Sequence, residues 1–192
     1  MAKLYFYYAS MNAGKSTTLL QASFNYRERG MQTMMFTAAI DDRWRAGVIT
    51  SRIGIEAAAH PFDAGTDLEA AIAAEHALTP VACVLIDEAQ FLCRDQVFAL
   101  ARVADDHGIP VLAYGLRTDF RAELFEGSAC LLALADVLVE LKAVCVCGRK
   151  AIMNLRIDAA GQPIRDGAQT EIGGNESYVA LCRRHFMEQW RG

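Results

Sequence analysis

Residues 3–20 read KLYFYYASMNAGKSTTLL. Lys3 to Ala9 form a nearly continuous apolar run of strand length, which suits a parallel strand buried on both faces. From Lys15 the apolar positions Leu19, Leu20, Phe24 and Tyr26 recur at helical spacing, with Gly30 as a stop. Between them, ASMNAGKS nearly matches the phosphate-binding pattern G-x-x-x-x-G-K-[ST]. The N–H groups of residues 12–16 can wrap a phosphate there, and the helix N-terminus adds a favourable dipole. Lys15 would reach the β- and γ-phosphates, and the Ser16 hydroxyl would ligate Mg²⁺. Ala9 is the exception, standing where the pattern has its first glycine. If a left-handed backbone is needed there, alanine costs about 1–2 kcal/mol, little beside a multiply hydrogen-bonded polyphosphate. The plainer alternative is a glycine turn with a surface lysine; the order strand, loop, helix argues against it.

The alternation continues outward from this loop. MQTMMFTA (31–38), VACVLI (81–86) and IPVLAYGL (109–116) read as strands. TDLEAAIAAEHAL (66–78) reads as a helix with Thr66 and Glu69 as a capping box. RDQVFALARVADDHG (94–108) reads as a helix begun by Asp95 and ended by Gly108. Residues 41–63 show no clear pattern. Alternating strands and helices predict an α/β fold of the P-loop NTPase type, a mainly parallel sheet flanked by helices on both faces. The alternation fades near residue 140. We therefore expect a nucleotide-binding α/β domain over 1–140 and a small second domain over 141–192.

VLIDE (84–88) is an apolar strand ending in two carboxylates, and in open α/β sheets ligands bind at the carboxyl ends of strands. Adjacent strand residues point to opposite sides. Asp87 is thus expected to serve Mg²⁺ through water, and Glu88 to face the attacking nucleophile as general base. A solvated acidic turn is the alternative, weakened by the neighbouring phosphate loop. These parts would equally serve an ATPase, with water as nucleophile.

The 192 residues are 53% hydrophobic, enough for one compact core, and the net charge of −4 leaves no broad basic field for nucleic acid. No apolar run reaches the length of a membrane span; ACLLALADVLVELKAV (129–144) is broken by Asp136, Glu140 and Lys142. The opening MAKLYFYYASM faintly imitates a signal peptide, but cleavage would remove or sever the phosphate loop, so a cytoplasmic location is expected. The six cysteines do not form a disulfide framework. Cys83, Cys93 and Cys130 sit in apolar or helical settings. Cys145 and Cys147, with Cys182 and His185 after a loop, suit tetrahedral Zn²⁺ with no open position, hence a structural ion. Buried cysteines with a surface histidine, or redox-active thiols, are the alternatives.

GGNESYVALCRRHF (173–186) is a specific tail: glycine, an acidic residue, tyrosine, then Cys-x-x-His. With ASMNAGKST, DDR (41–43), DEAQF (87–91), GLRTDF (115–120) and CVCG (145–148) in this order, the whole chain resembles the zinc-containing, bacterial-type thymidine kinases. The resemblance implies transfer of phosphate from ATP, with Mg²⁺, to the 5′-hydroxyl of thymidine, with Glu88 as general base. It implies that Ala9, Ser10, Met11, Asn12, Ala13, Gly14, Lys15, Ser16, Thr17, Asp87 and Gln90 serve the nucleotide. Arg43, beside Asp41 and Asp42, would stabilise transferred charge. The loop between the zinc arms resembles a lasso gripping the base through backbone at Gln169, Thr170, Glu171, Ile172 and Gly173. Phe120 would stack on the base, Tyr178 would cover the nucleoside, and Met11, Phe91 and Leu116 would line the pocket. The resemblance further implies a homotetramer and end-product inhibition. Two departures stand out, Ala9 and the tight Cys-x-Cys spacing. A P-loop ATPase with a zinc-stabilised partner-binding module, or a regulator without turnover, are the competing readings.

Overall fold

The structure, a computed structural model, describes residues 1–40, 47–170 and 177–191. Along the chain run β1 (Leu4–Ala9), α1 (Lys15–Arg27), β2 (Gln32–Ala38), β3 (Val48–Thr50), β4 (Glu56–Ala58), β5 (His60–Phe62), α2 (Leu68–Leu78) and β6 (Val81–Ile86). A 3₁₀ turn (Ala89–Phe91), α3 (Arg94–Asp106), β7 (Val111–Leu116), α4 (Glu126–Leu134) and β8 (Val137–Glu140) follow. The chain continues through β9 (Ala143–Val144), β10 (Lys150–Ala151), β11 (Met153–Arg156), β12 (Tyr178–Leu181) and α5 (Arg183–Arg191).

Six strands form one sheet in the order β5-β2-β6-β7-β1-β8, and every pairing in it is parallel. β1 is held on both sides: Leu4 to Ala9 pair with Val111 to Leu116, and Tyr5 to Tyr8 with Val137 to Glu140. Alternate side chains divide between two cores, as the period of two requires. Leu4, Phe6, Phe36, Val84 and Ile86 pack with Leu68, Ile72, Val97, Leu100 and Leu131 of α2, α3 and α4. On the other face Met35, Leu85, Leu112 and Tyr114 pack with Leu19 and Leu20 of α1 and Ile49 of β3, and Tyr7 stacks on Tyr114 at 4.5 Å between centroids. The expected α/β sheet with helices on both faces is what forms.

Several local expectations change. The first helix ends at Arg27, and Gly30 closes the turn after it at φ +73°. α2 begins at Leu68, capped by Asp67, whose carboxylate accepts from the Ala70 N–H. Thr66 instead hydrogen-bonds Asp63, and Glu69 pairs with Arg102, so the expected capping box is not made. At α3 the cap is Cys93, with Gln96 reaching back to the Cys93 N–H, not Asp95. β7 starts only after Pro110, because the Ile109 N–H is spent on the Val103 carbonyl. The apolar stretch 129–144 splits at Asp136: its carboxylate accepts from the Leu4 N–H and turns the chain from α4 into an unanticipated sixth strand. The patternless stretch before Asp63 contains an antiparallel pair, β3 with β4, and the edge strand β5.

Beyond β8 the pieces are short. β9 pairs with β10 and β11 with β12, each as an antiparallel pair. They share a separate apolar cluster of Ala143, Ala151, Met153, Leu155, Leu181 and Phe186, with Cys145 and Cys182 inside it.

Candidate functional site

The chain leaves the buried sheet at Ala9, which is still extended and paired with Leu116. The left-handed positions of the loop are Asn12 (φ +63°) and Gly14 (φ +76°). The conformational cost expected at Ala9 therefore does not arise there. It falls on an asparagine, which tolerates that region better than most residues, and on a glycine. Lys15, the first residue of α1, curls back so that Nζ donates to the Ser10 carbonyl at 3.1 Å. The loop is thus closed around its own lysine, with the helix N-terminus beneath it.

Across from the loop, β6 ends at Ile86 and the acidic pair follows it. Strand alternation does not separate the two carboxylates, as expected above; a left-handed Glu88 (φ +52°, ψ +40°) does, starting the 3₁₀ turn. Asp87 is buried. Its Oδ2 accepts from Ser16 Oγ at 3.0 Å, and its Oδ1 is buried with no hydrogen-bond partner among the described residues. Burial, then the charge of Glu88, pushes the Asp87 carboxyl up to about 7, against the Ser16 bond. A buried orphan carboxylate oxygen beside a serine hydroxyl at a phosphate loop is a donor set that fits a small divalent cation. Glu88 is held by Gln90, whose Nε2 donates to Glu88 Oε2 at 2.5 Å while its Oε1 accepts from the Leu116 N–H at 2.9 Å. Two glycines permit this turn, Gly115, read above only as part of a family motif, and Gly127, which carried no signal in the sequence. A Cβ at Gly115 would lie 2.9 Å from the Gln90 nitrogen, and one at Gly127 2.6 Å from the Ala89 carbonyl.

Loop and acidic turn face one cleft of about 320 Å³, a size typical of small-molecule sites. Met11 to Thr17, Asp87, Glu88 and Gln90 line it, while Ala9 and Ser10 are buried behind the loop. Phe91, Leu116, Phe120, Gln169, Thr170 and Tyr178 line it too, and are the residues that the resemblance gives to a nucleoside end. Arg43, with Asp41 and Asp42, and Glu171, Ile172 and Gly173 lie outside the described residues. Phe120 sits in a turn, as read, yet is only 1% exposed, and the Arg156 guanidinium lies 5.3 Å from its ring centroid. Asp119 closes that turn by accepting from the Arg121 and Glu123 N–H groups. The sequence reading missed Asn154, Phe125 and the stretch 48–53, which also line the cleft. The β-branched run Val48-Ile49-Thr50 after Gly47 was the available strand signal.

A sequence model of the family described as thymidine kinase matches residues 2–186. The chain belongs to the thymidine kinase family. It is 72% identical over 188 residues to a thymidine kinase of Novosphingobium aromaticivorans, covering 98% of each chain. It is 68% identical over 189 residues to a thymidine kinase of Zymomonas mobilis, again covering 98% of each. A thymidine kinase of Escherichia coli O157:H7 is 58% identical over 188 residues, 98% of this chain and 92% of that one.

In this family member the four sequence-picked metal-type residues do come together. The ligand atoms of Cys145, Cys147, Cys182 and His185 all lie within 4.8 Å of one another. Cys145 Sγ is 3.3 Å from His185 Nδ1, and Cys147 Sγ is 3.9 Å from Cys182 Sγ. Ligands at about 2.3 Å from a tetrahedral Zn²⁺ stand about 3.8 Å apart, so this cluster has the span of a zinc site despite the Cys-x-Cys spacing. Among the described residues no helix is long and apolar enough to cross a membrane.

Proposed function

We propose that this protein transfers the γ-phosphoryl group of ATP to the 5′-hydroxyl of thymidine. The observation that carries the reading is the single cleft, in which a phosphate loop, a braced carboxylate and an aromatic end meet. The N–H groups of residues 12–16 and Lys15 bind the phosphates, with Thr17 at the helix start. Ser16 and Asp87 would hold Mg²⁺, which supplies neutralisation of charge on the transferring group. Glu88 accepts the proton of the attacking 5′-hydroxyl, held in position by Gln90. Arg43 is assigned to the phosphates on its place in the sequence.

At the other end Phe120 stacks on the base, Tyr178, Phe91, Leu116 and Met11 enclose the nucleoside, and residues 169–173 close over it. Closure excludes water, which separates a kinase from an ATPase built of the same parts. Cys145, Cys147, Cys182 and His185 hold a structural Zn²⁺ that ties both arms of this loop, making 141–192 a working unit apart from 1–140. A cytoplasmic homotetramer without nucleic-acid or membrane partners belongs to the same proposal, on the family resemblance.

The test is ATP consumption with and without thymidine, beside a panel of other nucleosides. ADP release that depends on thymidine and yields thymidine monophosphate is expected. ADP release without any nucleoside would instead make this an ATPase, with the C-terminal unit as a partner-binding module.

A further inference from the structure

We propose that Asn154 is a positioning residue for the phosphate loop, through which the C-terminal unit presets the loop for nucleotide. The inference rests on the reading of that loop as the nucleotide site. Asn154 lies in β11, where it pairs with Ala180 of β12, and it is only 2% exposed. Its side chain leaves its own small sheet and bridges two loops at the end of the large one. Oδ1 accepts from the Met11 N–H at 2.7 Å, and Nδ2 donates to the Thr118 carbonyl at 3.0 Å. Those loops follow β1 and β7, adjacent strands joined up to Ala9 and Leu116. One amide thus fixes the spacing between the phosphate loop and the turn that carries Phe120.

Other restraints on the loop come from both units. Ser16 Oγ donates to Asp87 and the Arg117 N–H to the Ala9 carbonyl, while Ser10 Oγ donates to the Ala151 carbonyl and Ala13 packs on the apolar cluster of the C-terminal unit. The last two come from the unit that contains Asn154. The Met11 N–H stands immediately before left-handed Asn12, where the loop bends to aim its following N–H groups. A loop already bent in the free protein binds phosphate without the cost of ordering it. Truncating Asn154 strands a part-buried N–H and a buried carbonyl, so the loop must shift or hydrate.

The experiment compares wild type with Asn154→Leu, which has similar bulk and no hydrogen-bonding group, and Asn154→Asp, which keeps only the acceptor. The readouts on the full chain are the Mg·ATP dissociation constant by calorimetry, the thymidine KM, and zinc content. Asn154→Leu is expected to weaken ATP about tenfold with zinc content unchanged. Its thymidine KM should move less than its ATP affinity, and Asn154→Asp, whose second oxygen faces the Thr118 carbonyl, should not recover the loss. Unchanged ATP affinity in Asn154→Leu overturns the proposal, as does an Asp variant that binds ATP like wild type. Should Asn154→Leu fail to fold, hydrogen exchange on the wild type decides. Slow exchange over residues 9–14 before nucleotide is added is expected, and free exchange there overturns the proposal. A wild type that does not bind ATP fails the nucleotide reading itself, whereas wild-type binding matched by both variants fails this inference alone.

Discussion

The two ends of the cleft are built in different ways. The phosphate end stands on the carboxyl ends of central strands: Ala9 continues β1, Asp87 follows β6, and their neighbours are buried core. Its working groups come from two short runs, 10–17 and 87–90. The nucleoside end is more scattered: Leu116 ends β7, Phe91 and Phe120 lie in turns, Gln169 and Thr170 lie outside regular structure, and Tyr178 begins β12. A large parallel sheet positions the first, and the C-terminal unit with its four-ligand cluster supplies Gln169, Thr170 and Tyr178 to the second. On the proposed reading, chemistry common to all nucleotides sits on the parallel sheet, while selection of one nucleoside draws on both units.

That contrast can be broken most sharply at Glu88. Glu88→Gln should lower the single-turnover rate by about 10²–10⁴-fold with ATP affinity retained; a rate close to wild type would place the base elsewhere. At the other end, Cys182→Ser should lose its metal and raise the thymidine KM about tenfold or more, with a smaller effect on ATP. Equal losses for both substrates would erase the distinction between the ends.

A pH series sharpens the phosphate end. The raised Asp87 carboxyl binds its proton more tightly in the native than in the unfolded state between about 4 and about 7. In metal-free protein its contribution therefore makes stability fall as pH rises through that window. Mg·ATP affinity should rise over the same window, by up to about tenfold per pH unit, because the cation needs the ionised form. Denaturant unfolding and calorimetry at pH 5 and 8 check both, and Asp87→Asn should flatten the contribution. The smallest effect is expected at Ala9. Restoring the pattern with Ala9→Gly should cost roughly 0.5–1 kcal/mol, since a buried strand residue gains only freedom to lose on folding. Improved ATP affinity in that variant would mean that the loop strains at Ala9 after all.

The phosphate end was legible because a continuous apolar run, a glycine-lysine loop and a helix start coincide within a few residues, and each has a local cause. Its details were not. The separation of Asp87 from Glu88 depends on a left-handed turn that fits only where Gly115 and Gly127 leave room, and such close approaches leave no local mark. Asn154 was unreadable for the same reason, its partners lying at Met11 and Thr118. The metal-type cluster could be read from residue chemistry, since Cys and His have few other reasons to pair across a loop. The nucleoside end owed its assignment to family resemblance, because a single Phe or Tyr carries no periodic signal. β8 was hidden by the continuity of apolar residues across Asp136, where the carboxylate and the N–H of Asp136 both bond to Leu4 as the chain passes from helix to strand.

The central place of β1 has a consequence for how the protein is made. Its Leu4 N–H finds its partner carboxylate 132 positions later, and β8 lies beyond that. At about 5–20 residues per second, the ribosome delivers that partner on the order of ten seconds after the strand itself. Until β7 has emerged the aromatic segment LYFYY is synthesised but unpaired, and until β8 follows it stays open along one edge, with Lys3 as its flanking charge. The phosphate loop it carries cannot take its shape until nearly the whole chain has emerged, so a nascent chain stalled before α4 would hold the binding motif without the binding site.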